Sequence, residues 1–167
     1  TDVITASGVT PKEALSLVAA LERNSEHPLA EAITRYAQER NVEMPPVEQF
    51  EAFSGKGVRG RIKKSLVLVG NDRFMSENGI DVGEFKGHLK ALEDAGKTIV
   101  FAAKDKQPLA LLAIADPLKP SSQQAVRSLQ QMGITTLMLT GDKKRTAHAI
   151  AQRVGIDRVL AEVLPGD

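Results

Sequence analysis

Gly55-Lys56-Gly57-Val58-Arg59-Gly60-Arg61-Ile62 is the stretch on which the fold assignment turns. Its spacing is literally G-x-G-x-x-G, the dinucleotide fingerprint, which requires a strand before the glycines and a helix after them. Here the residues that follow, Val58–Ile62, read as a strand, and Val47–Phe53 reads as a strand on the other side. The dinucleotide reading fails on that context. What remains is a hairpin, whose glycines accept positive φ. The same turn also has a functional reading, because backbone amides without a neighbouring Cβ approach a ribose or phosphate closely. Local sequence leaves both readings open.

Working outward, Ser65–Val69 extends the hairpin as a third strand. Asn71 to about Glu77 is a short helix stopped at Gly79, and Asp81 with Glu84 caps another that runs to Asp94 and ends at Gly96. Thr98–Ala103 and Leu109–Ala115 form a strand pair turning near Asp105. Upstream, Thr10-Pro11-Lys12-Glu13 is a capping box with proline at the first helical position. The helix it opens carries Ala14, Leu17, Val18 and Leu21 at helical spacing and stops near Arg23-Asn24. A second helix runs from Pro28 to about Arg40, with Leu29, Ile33 and Tyr36 or Ala37 inward. This is an α+β unit, an antiparallel sheet flanked by helices.

Beyond Asp116 the pattern alternates strand and helix with tight turns. A helix capped by Ser121 and Gln124 stops at Gly133, and the strand Thr135–Leu139 follows. A helix from Asp142 to Val154 ends at Gly155, before a short strand around Val159. Such alternation implies right-handed parallel β-α-β units. The expected boundary lies near Ala115-Pro117, giving domains 1–115 and 116–167, the second short enough to look incomplete.

Composition narrows the function classes. The 167 residues are 42% hydrophobic and 26% charged, enough for a real core. With 22 basic against 21 acidic residues the net charge is +1, which argues against nucleic-acid binding as the main activity. The basic run Arg59 to Lys64 has no interleaved aromatics and reads as a solvated hairpin edge. There is no cysteine, so disulfides, thiolate metal sites and thiol nucleophiles are excluded together. Three scattered histidines make no zinc motif, and His88 and His148 receive no role. No apolar run approaches the ~20 residues that span a bilayer, and the start has no signal-peptide pattern. The expectation is a segment working in water, in the cytoplasm.

A few residues carry chemistry. His27 precedes Pro28 at a helix start, where the dipole favours the neutral ring. A neutral ring stacks on a purine or exchanges hydrogen bonds with it; as a lone histidine it reads first as a helix cap. Glu22, ending the previous helix, is placed to accept from an adenine amino group. Gly96-Lys97-Thr98 mimics the end of a Walker A loop, but the first glycine's position holds Ala91 and a strand follows. Thr140-Gly141-Asp142 sits at the carboxyl end of a parallel strand, where α/β ligand sites form. An aspartate helix cap explains the same residues. Asp116-Pro117-Leu118-Lys119 is by itself only a turn.

Taken together these residues resemble a known family. Glu22 with Ser25-Glu26-His27-Pro28-Leu29, then Gly55-Lys56-Gly57-Val58, Val69-Gly70-Asn71, Asp116-Pro117-Leu118-Lys119 and Met138-Leu139-Thr140-Gly141-Asp142 carry the likeness, joined by Ala147–Gly155 and Ala161–Pro165. In order and spacing they resemble the ATP-binding cytoplasmic loop of heavy-metal-transporting P-type ATPases, most closely the copper or silver branch. The resemblance implies that Glu22, His27, Gly55 and Gly57 line an adenosine pocket, with Gly70 and Asn71 supporting it. It implies that Thr140, Gly141 and Asp142 lie near the transferred phosphate and Mg²⁺. Asp116 would match the family's hinge and phosphorylation-site aspartate.

The likeness has limits. The family's Asp-Lys-Thr-Gly-Thr and Gly-Asp-Gly-x-Asn-Asp motifs are missing, and Asp2-Val3-Ile4-Thr5 imitates the first poorly. The resemblance therefore implies a fragment of a pump at the cytoplasmic face of a membrane, binding ATP without a nucleophile to phosphorylate. Its partners would be the remaining phosphorylation, actuator and membrane domains. Zinc or cadmium transport is the alternative within the family. A small haloacid-dehalogenase-like phosphohydrolase with Asp116 as nucleophile is the alternative outside it.

Overall fold

The computed structural model describes residues 1–115 and 121–163. In it the decisive glycine stretch is a hairpin. Strand β1 (Asp2–Thr5) leads into helices α1 (Pro11–Glu22) and α2 (Pro28–Gln38), then strands β2 (Val47–Phe53), β3 (Gly57–Ile62) and β4 (Ser65–Gly70). Helix α3 (Asp72–Glu77) and a 3-10 turn, Gly83–Phe85, precede α4 (Lys86–Asp94), β5 (Thr98–Lys104) and β6 (Gln107–Ile114). The sheet order is β1-β6-β5-β4-β3-β2. β1–β6, β2–β3, β3–β4 and β4–β5 pair antiparallel. Between β5 and β6 both Asp105 and Lys106 have positive φ, the signature of a two-residue type I′ turn. The expected α+β class is what the chain adopts.

The three glycines of the stretch do three different jobs. Gly55, at φ 68°, makes the turn. Gly57 pairs with Gly70 across β3 and β4, and a Cβ on Gly57 would lie 2.3 Å from the Val69 carbonyl oxygen and 2.9 Å from the Phe74 ring. A Cβ on Gly60 would lie 2.8 Å from Cδ1 of Leu21, so this glycine lets α1 close on the sheet. None of these roles involves a dinucleotide.

Helix α1 starts as expected: Thr10 Oγ1 accepts from the Glu13 amide at 3.2 Å, with Pro11 at the first helical position. Its Ala14, Val18, Ala19, Ala20 and Leu21 are fully enclosed, packed with Ile33 and Ala37 of α2 against Val67, Val69, Ala102 and Leu112. Leu109–Ile114 of β6 is buried at every position, the continuous apolar run of a strand covered on both faces. Phe85 and Phe101, their ring centroids 6.2 Å apart, belong to this interior.

The chain divides into two compact units, Thr1–His88 with Ile99–Ile114, and Leu89–Thr98 with the described part of Ala115–Asp167. The second contains α5 (Ser122–Gln131), β7 (Leu137–Leu139), α6 (Lys144–Val154) and β8 (Arg158–Leu160), with β7 and β8 paired in parallel. The parallel reading of this part stands, with shorter elements. Ser121 makes no side-chain cap bond, and α6 begins at Lys144 rather than Asp142. β1 was not expected from sequence. No helix among the described residues is long and apolar enough to cross a membrane.

Close packing and turn geometry separate the glycines energetically. Gly57→Ala is expected to cost roughly 2–3 kcal/mol, because the methyl meets backbone that cannot move away. Gly55→Ala meets open space and costs only about 1 kcal/mol of left-handed strain. Urea unfolding of both variants measures the difference, and equal losses would contradict the packing role of Gly57.

Candidate functional site

The end of α1, the turn after it and helix α2 together line an open cavity of about 560 Å³. Its lining includes Glu22, Arg23, Ser25, Glu26, His27, Glu31, Thr34 and Arg35. His27 is the N-cap of α2: its Nδ1 accepts from the Leu29 amide at 3.2 Å. That bond leaves Nε2 to carry the ring proton, so the ring offers a donor to anything entering the cavity. The cap and the ligand readings of His27 are therefore compatible, one for each ring nitrogen.

Glu22 is only 8% exposed at the end of α1 and, among the described residues, has no ion-pair partner. Burial pushes its carboxyl up to about 7, against the opposing hydrogen bond from the Ser25 hydroxyl. Ser25 in turn accepts from the His27 amide at 3.3 Å, linking the two residues through one hydroxyl. The arrangement follows from the end of α1 being enclosed on all sides: Val18, Ala19, Ala20 and Leu21 are buried in succession, and Glu22 closes that run.

Gly55, Gly57, Gly70 and Asn71 gather at a second cluster. Asn71 Oδ1 accepts from the Phe74 amide, capping α3, while its Nδ2 donates to the Gly55 carbonyl, both at 2.9 Å. The Asn71 amide donates to the Lys56 carbonyl at 2.9 Å. One asparagine thus fastens the glycine turn to a helix start. These four residues are not among those lining the Glu22–His27 cavity; the link between the two clusters runs through Leu21, which lies against Gly60. Lys56 and Arg73 both pair with Glu77, holding its carboxyl below the usual range. Sequence reasoning did not single out Ser25's bridging role or Phe74; a small hydroxyl two residues before a helix-capping histidine was the available signal.

In the second unit Thr140, Gly141 and Asp142 follow β7. The Thr140 hydroxyl donates to Asp142 Oδ2 at 2.9 Å and accepts from the Asp142 amide at 3.1 Å. Backbone bonds from Thr140 to Leu160 and from Glu162 and Val163 to Asp142 and Thr140 fix the loop. Asp142 is not the helix cap that the sequence equally allowed, because its carboxylate is engaged by Thr140 and α6 starts two residues later. Asp116 lies outside the described residues. Among those described, no three His, Asp or Glu side chains gather as a metal site. Asp142 alone, with one oxygen already accepting, does not constitute a Mg²⁺ site.

Residues 1–167 match the haloacid dehalogenase-like hydrolase family. The chain is 46% identical over 165 residues to Copper-transporting ATPase 2 of Rhizobium meliloti (strain 1021), covering 99% of this chain and 20% of that protein. It superposes on a zinc-transporting PIB-type ATPase in the E2.Pi state with a TM-score of 0.71 and 32% identity, covering all of this chain and 27% of the other. It also superposes on the catalytic domain of the CPx-ATPase CopB-B, whose structure concerns conformational changes on nucleotide binding, with a TM-score of 0.68, 25% identity and coverage of 99% and 57%. The chain spans about a fifth of the length of the curated relatives it matches.

The buried carboxyl sets a pH dependence of stability. A folded value near 7, above the unfolded 4.5, means that the native state holds its proton more tightly. The associated stability is complete below the unfolded value and is lost as pH rises through about 7, on the order of 3 kcal/mol. Glu22→Gln removes the titration, so it is expected to match wild type near pH 4 and exceed it near pH 8 in thermal melting. A constant difference across that range would refute the assignment.

Proposed function

Because the chain belongs to the haloacid dehalogenase-like hydrolase family and is homologous over nearly its whole length to copper-transporting P-type ATPases, we propose that it is the ATP-binding part of a copper- or silver-translocating pump. Residues 1–115 are the nucleotide-binding domain and 116–167 part of the phosphorylation domain. The observation that carries this is the Glu22–Ser25–His27 constellation on one cavity: a buried carboxyl and a capping imidazole joined through a hydroxyl. Such a site takes a purine, with His27 against the ring and Glu22 at its edge.

Gly55 and Gly57, steadied by Gly70 and Asn71, take the ribose and phosphate side; it is at Gly55, where a Cβ would meet open space, that bare backbone permits close approach. In the intact pump the domain holds ATP by its adenosine end and delivers the γ-phosphate to an aspartate of the phosphorylation domain. Catalysis there is positioning and charge neutralisation, with Mg²⁺ supplying the latter when bound. Thr140, Gly141 and Asp142 stand on the phosphorylation side, and Asp116 at the hinge. The actuator and membrane domains are the remaining partners, and the cytoplasmic face of the membrane is the working place.

Binding by the isolated chain is expected to be weak, with Kd ~0.1–1 mM. Amide shifts at His27, Gly55 and Gly57 on ATP titration test it; spectra unchanged in millimolar nucleotide would sink the proposal. Variants separate the two roles of His27. His27→Ala loses ATP binding and about 1 kcal/mol of helix capping, whereas His27→Asn recovers the cap but not the binding. Recovery of both by asparagine would make His27 a cap alone.

A further inference from the structure

The proton on Glu22 decides what the cavity presents to a base. Glu22 is 8% exposed as a residue, lines the cavity and lacks a cation partner among the described residues, so desolvation opposes the ionised form. The charged groups that share the cavity are Arg23, Glu26, His27, Glu31 and Arg35. None pairs with Glu22. The strands beneath α1 bring apolar side chains, Val58, Val67 and Val69 among them. The hydroxyl of Ser25 is the polar group that meets the carboxyl from its own turn.

A neutral carboxyl offers one O–H donor beside one carbonyl acceptor, whereas a carboxylate offers two acceptors. Adenine's edge presents the reverse of the first pattern, an amino donor at N6 beside an acceptor at N1. Guanine's edge presents the reverse of the second, donors at N1 and N2. We propose that Glu22 reads the base as a neutral carboxylic acid, so that the cavity selects adenine over guanine near and below neutral pH and loses that selectivity as the proton leaves. A site built around hydrogen bonds rejects a mismatched edge strongly, because mismatching leaves buried polar groups facing like ones. This rests on the reading of the cavity as a nucleotide site.

The test is the ratio of ATP to GTP affinity, titrated on the 167-residue chain at about pH 6 and about pH 8.5. The ratio cancels the ionisation of the phosphates, which both nucleotides share, and any contribution of His27 common to both purines. It is expected to fall roughly tenfold over that range, the size of one lost paired contact to a base edge. Glu22→Gln, which carries a fixed acceptor and a fixed donor, is expected to keep the adenine preference at both pH values. A wild-type ratio that does not move while both nucleotides bind overturns the inference and leaves the nucleotide reading standing. So does a Glu22→Gln ratio that moves as much as wild type. If neither ATP nor GTP binds at either pH, the nucleotide reading fails and this inference fails with it.

Discussion

The close approach of β3 and β4 at Gly57 and Gly70 governs the geometry of the first unit. Both strands give up a side chain at the same level, and the Phe74 ring occupies the space, 2.9 and 2.8 Å from where the two Cβ atoms would be. Phe74 in turn meets Phe53 at a centroid distance of 5.1 Å, so the end of β2 is packed onto the start of α3. Farther along β3, Gly60 admits Leu21, which brings the last turn of α1 down onto the sheet. Glu22 follows Leu21 directly. The enclosure of Glu22 is thus tied to glycine spacing in a strand through its neighbour Leu21.

Much of this was legible because it rests on local rules. Thr10-Pro11-Lys12-Glu13 and Asn71 announce helix starts through side-chain caps that compete with no tertiary demand. β3 alternates in burial, whereas a bulge between Glu48 and Glu51 interrupts β2; the strand context on both sides of the turn removed the dinucleotide reading of the same glycines. What escaped is non-local. Asp2–Thr5 is four half-buried residues that become a strand only because β6 offers its edge. Asp142 looked as much like a cap as like a site residue, and only the Thr140 hydroxyl bound to its carboxylate decides against the cap. The state of Glu22 depends on tertiary burial, which no window of sequence displays. His27 was legible as a position and not as a division of labour between two ring nitrogens.

The second unit is held differently. Its segment Leu89–Thr98 meets α6 through charge and polar bonds: Glu93 with Lys143 and Arg145, Asp94 with Arg145, and the Thr146 hydroxyl donating to the Lys97 carbonyl at 3.3 Å. The exposed Asp94–Arg145 pair adds little and weakens with salt, whereas the Glu93 carboxylate that meets Lys143 and Arg145 is largely buried. Thr146, Ala147 and Ala151 supply the buried contact. The apolar residues Met132, Leu137, Leu139 and Leu160 remain exposed on α5's end and the parallel pair.

That Leu89–Thr98 belongs with residues after Ala115 while its flanks belong to the sheet has a consequence for synthesis. On a ribosome the sheet has all of its strands once Ile114 has emerged, and domains generally fold as units in the order they appear. The segment is then enclosed between finished neighbours in the chain, yet Lys143, Arg145 and Ala147 are still inside the ribosome or unmade. For that interval a stretch of nascent chain waits for partners that its own fold has already passed by, in the middle of an otherwise completed unit.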